Sequence, residues 1–294
     1  MKQTVRTLYL LPLLALALVV VGMLLPTAAE AAASPKIHQL SIRHQNLIST
    51  RSNYRSNNLT YHGGPVMVGT SADYAIFWEP TGSYVSSTYN SLILRYFGDV
   101  GGSTLYHNNT QYHDSSSKYP SNSVLGGSWV DTAAYPSGTL SDAQIQAEVT
   151  HAQAVNGWTS TIDNVFFVFT AKGENICYGS SCSFSSFCSY HNYFGTSTLY
   201  AAMPYMGTNL SGCGVPYSPN NDIDADSTIN ATSHEQMEAA TDPLSNAWSD
   251  TSTYEIGDKC AGNYGGGNVT WNGHKYLVQE EWDNAKSGCV LTGP

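Results

Sequence analysis

The chain has 294 residues, with 22 acidic against 12 Lys or Arg residues and a formal net charge of −10. That balance argues against nucleic acid and anionic membrane surfaces as partners, since both select clustered positive charge. Only 12% of residues are charged, while Tyr (20) and Gly (26) are abundant, the make-up of an exported, turn-rich protein with a polar but uncharged surface.

The chain begins with the pattern of an export signal over 1–33. Lys2 and Arg6 supply the basic start, residues 8–25 are nearly all apolar, and Ala29-Glu30-Ala31 and Ala31-Ala32-Ala33 offer small-x-small cleavage sites. The apolar run is long enough to serve as an uncleaved anchor, but Pro12, Pro26 and the Ala-rich end favour cleavage. No later segment approaches the roughly 20 apolar residues of a membrane span. The mature chain is therefore expected outside the cytoplasm and free of the membrane. Residues 34–58 are polar and weakly patterned, and read as a flexible N-terminal segment, with its removal as a pro-segment left open.

From 59 to 294, strand and helix signals alternate. Tyr74-Ala75-Ile76-Phe77-Trp78 is a short apolar run stopped by Glu79-Pro80, a buried strand. Over 86–100, Tyr89, Leu92, Ile93, Tyr96 and Phe97 recur at helical spacing before Gly101-Gly102. Residues 105–112 and 124–130 read as two further strands. Ser141 followed by Gln144 is a capping-box pattern, and the helix it opens runs to the stop at Asn156-Gly157. Val165-Phe166-Phe167-Val168-Phe169 is continuous rather than alternating, so it belongs mid-sheet with both faces buried. Residues 173–194 read as a disulfide-pinned excursion, 197–203 as a returning strand, and 223–241 as a helix ended by Pro243. The remainder is loop-rich. A single α/β domain, with a mixed central sheet, flanking helices and an irregular C-terminal lobe, is the expected architecture.

Six cysteines follow the signal, an even number suited to an oxidising compartment, and none has Cys-x-x-Cys spacing. Proximity favours Cys177–Cys182, Cys188–Cys213 and Cys260–Cys289 among fifteen possible pairings.

The 223–241 helix carries the strongest chemical signal. His234 and Glu238 stand four apart, on one face and one turn from each other, and Glu235 is beside them. A helix holds zinc and places a general base in this way, although Glu238 stands where H-E-x-x-H would have a second histidine. His234 and Glu238 would be metal ligands and Glu235 the base. Glu255 is the preferred third ligand, with Asp258 as its substitute or neighbour, because the chain can turn at Pro243 and return. Asp242 could orient His234 from the helix end. The ligand set is carboxylate-rich, so calcium or manganese stands beside zinc. The competing expectation is a set of polar residues on an exposed helix face. His62 reads as a turn residue. His107, His113, His151, His191 and His274 are scattered and read as surface or satisfied histidines. Trp248, Trp271 and Trp282 could line a sugar groove, but buried core tryptophans are the default. No Gly-x-Ser-x-Gly nucleophile elbow occurs.

Leu59-Thr60-Tyr61-His62-Gly63-Gly64-Pro65-Val66, the Ile76-Phe77-Trp78 strand, the Cys177 to Cys213 segment, Pro219-Asn220-Asn221-Asp222, Ala240-Thr241-Asp242-Pro243-Leu244 and the closing Tyr276-Leu277…Trp282…Cys289 occur in that order. In this wording the chain resembles a bacterial, secreted member of the EXORDIUM (phosphate-induced protein 1) family, known from plants as secreted, cell-wall-associated growth proteins. Plant members typically lack the His234, Glu235 and Glu238 set, so the resemblance implies no catalytic role for it. Two functions follow as expectations. One is a secreted metal-dependent, peptidase-like hydrolase on a zincin-like α/β scaffold, acting on extracellular peptide. The other, which the resemblance suggests, is a non-catalytic module associated with cell-wall polysaccharide, with a structural metal or none.

Overall fold

Val165 to Phe169 lie in the middle of a six-stranded sheet, as a run apolar on both faces requires. The computed structural model describes residues 38–41 and 57–294, so the export signal over 1–33 and most of the 34–58 segment lie outside the described residues. The strands are β1 (His38–Ser41), β2 (Gly69–Trp78), β3 (Pro120–Asp131), β4 (Asn164–Thr170), β5 (Phe187–Phe194) and β6 (Thr198–Met203). Their spatial order is β1-β5-β6-β4-β2-β3. The four from β6 to β3 are parallel, whereas β5 is antiparallel to β6 and β1 antiparallel to β5.

Alternation along β4 sorts the core into two layers. Val165, Phe167 and Phe169 join the apolar cluster that holds α1 (Tyr89–Val100) and α3 (Ile223–Thr241), with the rings of Phe97 and Phe167 5.0 Å apart. Phe166 and Val168 face α2 (Asp142–Asn156) with Ile145, Val149 and Ala152. The fold is a mixed α/β sandwich with helices on both faces of the sheet. The expected α2 capping box forms, with the Ser141 amide donating to Gln144 Oε1 at 2.7 Å, and Gly157 closes the helix at φ 70°.

All three proximity pairings of the cysteines are present. After α3 the chain forms only short pieces, including the hairpins Val269–Trp271 with His274–Tyr276 and Glu281–Asp283 with Gly288–Val290. Trp282 and Trp271 are core residues, in line with their default reading. Among the described residues no helix is long and apolar enough to cross a membrane.

Four local expectations change. Residues 105–112 do not form a strand; Tyr106–Gln111 is a 3₁₀ turn in which Ser103 Oγ accepts the Tyr106 amide and Asn108 Nδ2 donates to the Trp282 carbonyl. Side-chain bonding of this kind competes with strand formation, and apolar spacing alone does not register it. α1 starts at Tyr89 rather than 86. The 173–194 excursion ends in the eight-residue strand β5. Within the 34–58 segment, His38–Ser41 pairs with β5.

Where β3 ends beside α2, His151 Nδ1 lies 3.4 Å from Asp131 Oδ2 and 3.5 Å from Glu148 Oε2. Burial, reinforced by the charge of Asp131 and a hydrogen bond with it, pushes the Glu148 carboxyl up to about 8. Folding thus takes up a proton at Glu148, and the associated stability, complete below the ordinary value of 4.5, is lost as pH rises through 8. The thermal midpoint of the native chain should fall relative to that of Glu148→Gln across this interval. Parallel midpoint curves for the two proteins would contradict the assignment.

Candidate metal centre

α3 is a polar helix in a dry place. Asp222 caps it by accepting the Ala225 amide at 3.1 Å, Asp224 and Asp226 complement the dipole in the first turn, and it ends at Thr241 before Asp242-Pro243. Residues 224–241 are all buried, although Ile229, Met237 and four alanines are the only apolar side chains among them. The expectation of an exposed polar face is therefore overturned. Burial of so many polar groups requires partners. Thr228, Thr232 and Thr241 donate back to carbonyls one turn earlier, and Asn230 Oδ1 accepts the Gln279 amide at 2.8 Å. Tyr96 donates to Gln236 Oε1 at 2.7 Å, and Gln236 Nε2 donates to Asp73 Oδ2 at 2.6 Å and to Ser123 Oγ at 2.9 Å.

The next face of α3 carries the charged set. His234 Nε2 lies 3.2 Å from Glu238 Oε1 and 3.8 Å from Asp258 Oδ1, and the Asp258 amide donates to Glu238 Oε1 at 2.9 Å. On the other side, His191 from β5 places Nδ1 3.2 Å from Glu235 Oε2 and 3.5 Å from Glu238 Oε2, with Nε2 3.7 Å from Glu255 Oε2. Ser189 donates to Glu235 Oε1 at 2.5 Å. Two three-residue groups result, His234–Glu238–Asp258 and His191–Glu235–Glu238, and Glu238 belongs to both; the ligating atoms in each lie within 4.8 Å of one another. Asp258 is 11% exposed and the other members at most 2%.

Such a cluster must settle its own charge. Burial opposes a charge on His191, but hydrogen bonds to Glu235 and Glu238 and their negative charge outweigh it and raise the imidazole to about 9. His234 is raised in the same way against burial, chiefly by Glu238. Burial would raise Glu238, yet the charge of His234 and the nearness of His191 hold it below the carboxylate range. Burial, followed by the charge of Glu238, keeps Glu255 protonated well above the usual range. Burial does the same to Glu281, partly offset by His234. Neither ring nitrogen of His234 has an aligned hydrogen bond, despite the nearness of Glu238. A buried imidazole in that condition, beside carboxylate oxygens, is donor chemistry suited to a divalent cation.

The structure brings together His234, Glu235, Glu238 and Asp258 from the sequence reading. It places Glu255, the preferred third ligand, against His191 instead, and Asp258 beside His234. The reason is local: a 3₁₀ turn, Asp258–Cys260, starts at Asp258 and is tied down by the Cys260–Cys289 disulfide. Asp242 accepts the Asn246 and Ala247 amides, each at 2.6 Å, and hydrogen-bonds to Glu255. His62, which follows the short strand Thr60–Tyr61, is hydrogen-bonded to Thr60 and to the Ser249 carbonyl and stands outside the cluster. His191 and Glu281 were not singled out by sequence reasoning as site residues. The available signal for His191 was Ser189-x-His191 inside an aromatic strand, two polar residues at strand period on one face.

The fold and the cluster define a disulfide-bonded mixed α/β protein with a buried histidine–carboxylate centre. Among known proteins the chain is similar to Protein EXORDIUM-like 5 of Arabidopsis thaliana, 25% identical over 328 aligned positions that cover 92% of this chain and 87% of that protein. It is also similar to Protein EXORDIUM-like 3 of the same plant, 29% identical over 148 positions, 36% of this chain and 43% of that one. These similarities support the EXORDIUM family at low identity. No family model and no solved structure matches. The three disulfides fit an extracellular protein.

Two substitutions separate the charge states assigned above. Glu238→Gln leaves two buried imidazolium groups without their shared partner and should destabilise the metal-free protein by about 3–5 kcal/mol in urea unfolding. Glu255→Gln replaces an already neutral carboxyl and should change the midpoint little. Equal losses from the two would refute the assignment. A Cβ on Gly257 would stand 2.6 Å from His234 Nδ1 and 3.0 Å from Glu238 Oε1. Gly257→Ala should accordingly disturb the cluster while leaving the circular dichroism of the helices in place.

Proposed function

We propose that this chain is an exported EXORDIUM-family metalloprotein and that its centre is that of a peptidase-like hydrolase. His234, Glu238 and Asp258 are the ligands, and zinc is the preferred ion, with calcium or manganese favoured if the carboxylates dominate. The observation that carries this reading is the convergence of these three donors, in a buried site, with Glu235 on the same helix. The ion would lower the pKa of a bound water and polarise a substrate carbonyl. Glu235 accepts the water proton, with Ser189 fixing one carboxylate oxygen and His191 beside the other. His191 in its charged form then supplies a proton to the leaving amine, and Glu255 steadies its far nitrogen. Extracellular peptide is the proposed substrate, with no role for nucleic acid or membrane.

Metal analysis of the purified chain tests the ligands: stoichiometric zinc in the native protein, lost in His234→Ala, is expected. Glu235→Gln should keep the metal and reduce hydrolysis of an unfolded protein substrate by about 10²–10⁴-fold. A native protein that takes up no divalent ion, or a Glu235→Gln variant as active as the native chain, would refute the proposal.

A second reading has its own observation. A cleft of about 410 Å³, lined by none of the cluster residues, has Asp99, Ser103, Trp271 and Asn272 among its walls, polar groups beside an aromatic ring of the kind that holds sugars. On this reading the chain is a non-catalytic, cell-wall polysaccharide-associated module and the buried centre is structural. Retarded migration in gels containing wall polysaccharide, abolished by Asp99→Leu, is expected; unretarded migration of the native chain would exclude it.

A further inference from the structure

The elements that carry the candidate metal centre are bordered by a strand of only four residues. β1 packs against β5, which carries His191, against α3, which carries His234, Glu235 and Glu238, and against the Asp258–Cys260 turn. In register, His38 is opposite His191, Gln39 opposite Tyr190, Leu40 opposite Ser189, and Ser41 opposite Phe187 after a bulge. The residues it pairs with thus include both β5 side chains that contact Glu235. Leu40 is 6% exposed, belongs to the main apolar cluster, and forms one wall of a small recess lined also by Cys188, Cys213, Asn230 and Tyr264.

Without β1, β5 would be the edge of the sheet, with unpaired amides and carbonyls along the strand that bears His191. An edge of this kind binds extended chains by main-chain hydrogen bonds, and pockets for alternate side chains supply selectivity. Among the four described residues of the occupant Leu40 is the apolar one, so another strand of the same chemistry can compete for its place.

We propose that the outer edge of β5 is a docking site for one extended peptide strand, antiparallel to β5, with an aliphatic side chain taking the buried place of Leu40 in the apolar cluster. The chain fills this site itself with His38–Ser41, and displacement of that strand exposes the centre. The edge gives the peptide class and orientation that the hydrolase reading leaves unspecified, and only its consequence for catalysis rests on that reading. A docked peptide runs past Ser189 and His191, the two β5 residues whose side chains contact Glu235.

The test uses the full chain and a fluorescein-labelled peptide of residues 36–43, Lys-Ile-His-Gln-Leu-Ser-Ile-Arg. Leu40→Asp in the protein should release β1. The peptide should then bind the variant at least tenfold more tightly than the native chain by anisotropy, while a peptide with Leu replaced by Asp binds neither. Amide exchange over 187–194 should be faster in the variant and be slowed again by the peptide. Leu40→Gly, a milder change that retains the fold if Leu40→Asp does not, should give the same order with smaller differences. Equal peptide binding by native and variant chains, or unchanged exchange over 187–194 in a folded variant, would overturn the proposal. Every measurement is made in chelator and again with zinc. Docking that persists in chelator while zinc is not taken up sinks the metal reading alone, and zinc uptake without docking sinks the edge alone.

Discussion

A helix of polar composition is buried along nearly its whole length, and the rest of the molecule is arranged to make that tolerable. Placing imidazole and carboxylate groups in a low-dielectric interior costs several kcal/mol per ion unless charge is matched and hydrogen bonds are made. Glu238 bears most of that requirement. It faces His234 on its own helix, His191 from the sheet and the Asp258 amide from the C-terminal lobe. Three parts of the chain that are remote in sequence are tied to one carboxylate.

The supporting elements can be understood from this demand. β5 supplies His191 and Ser189 two residues apart, so that strand period turns both toward α3. The loop after α3 has little regular structure of its own, and a disulfide and a 3₁₀ turn position Asp258 instead. Burial, with the charge of Glu238 adding to it, holds the Glu255 and Glu281 carboxyls well above the usual range. Protons and hydrogen bonds settle the charge of this cluster within the chain itself.

Much of the layered fold was readable in advance where local signals agree with burial. The aromatic run of β4, the capped α2, the limits of α3 and the three disulfides all follow from patterns a few residues long or from proximity. The 3₁₀ turn at Tyr106–Gln111 was misread because asparagine and serine side chains there bond the backbone, which apolar spacing does not record. β1 was missed because four residues in a polar stretch acquire strand character only by pairing with an edge far away in sequence.

The sequence alone determined the spacing of His234, Glu235 and Glu238 on one helix, because helical periodicity is a property of adjacent residues. It also determined the even cysteine complement and the acidic net charge of −10. Only the tertiary structure decided that the helix is buried rather than exposed, that His191 joins it, and that Asp258 rather than Glu255 stands beside His234. Those outcomes depend on which distant segments share the interior, and the energy of a buried charge is set by neighbours that no local pattern specifies.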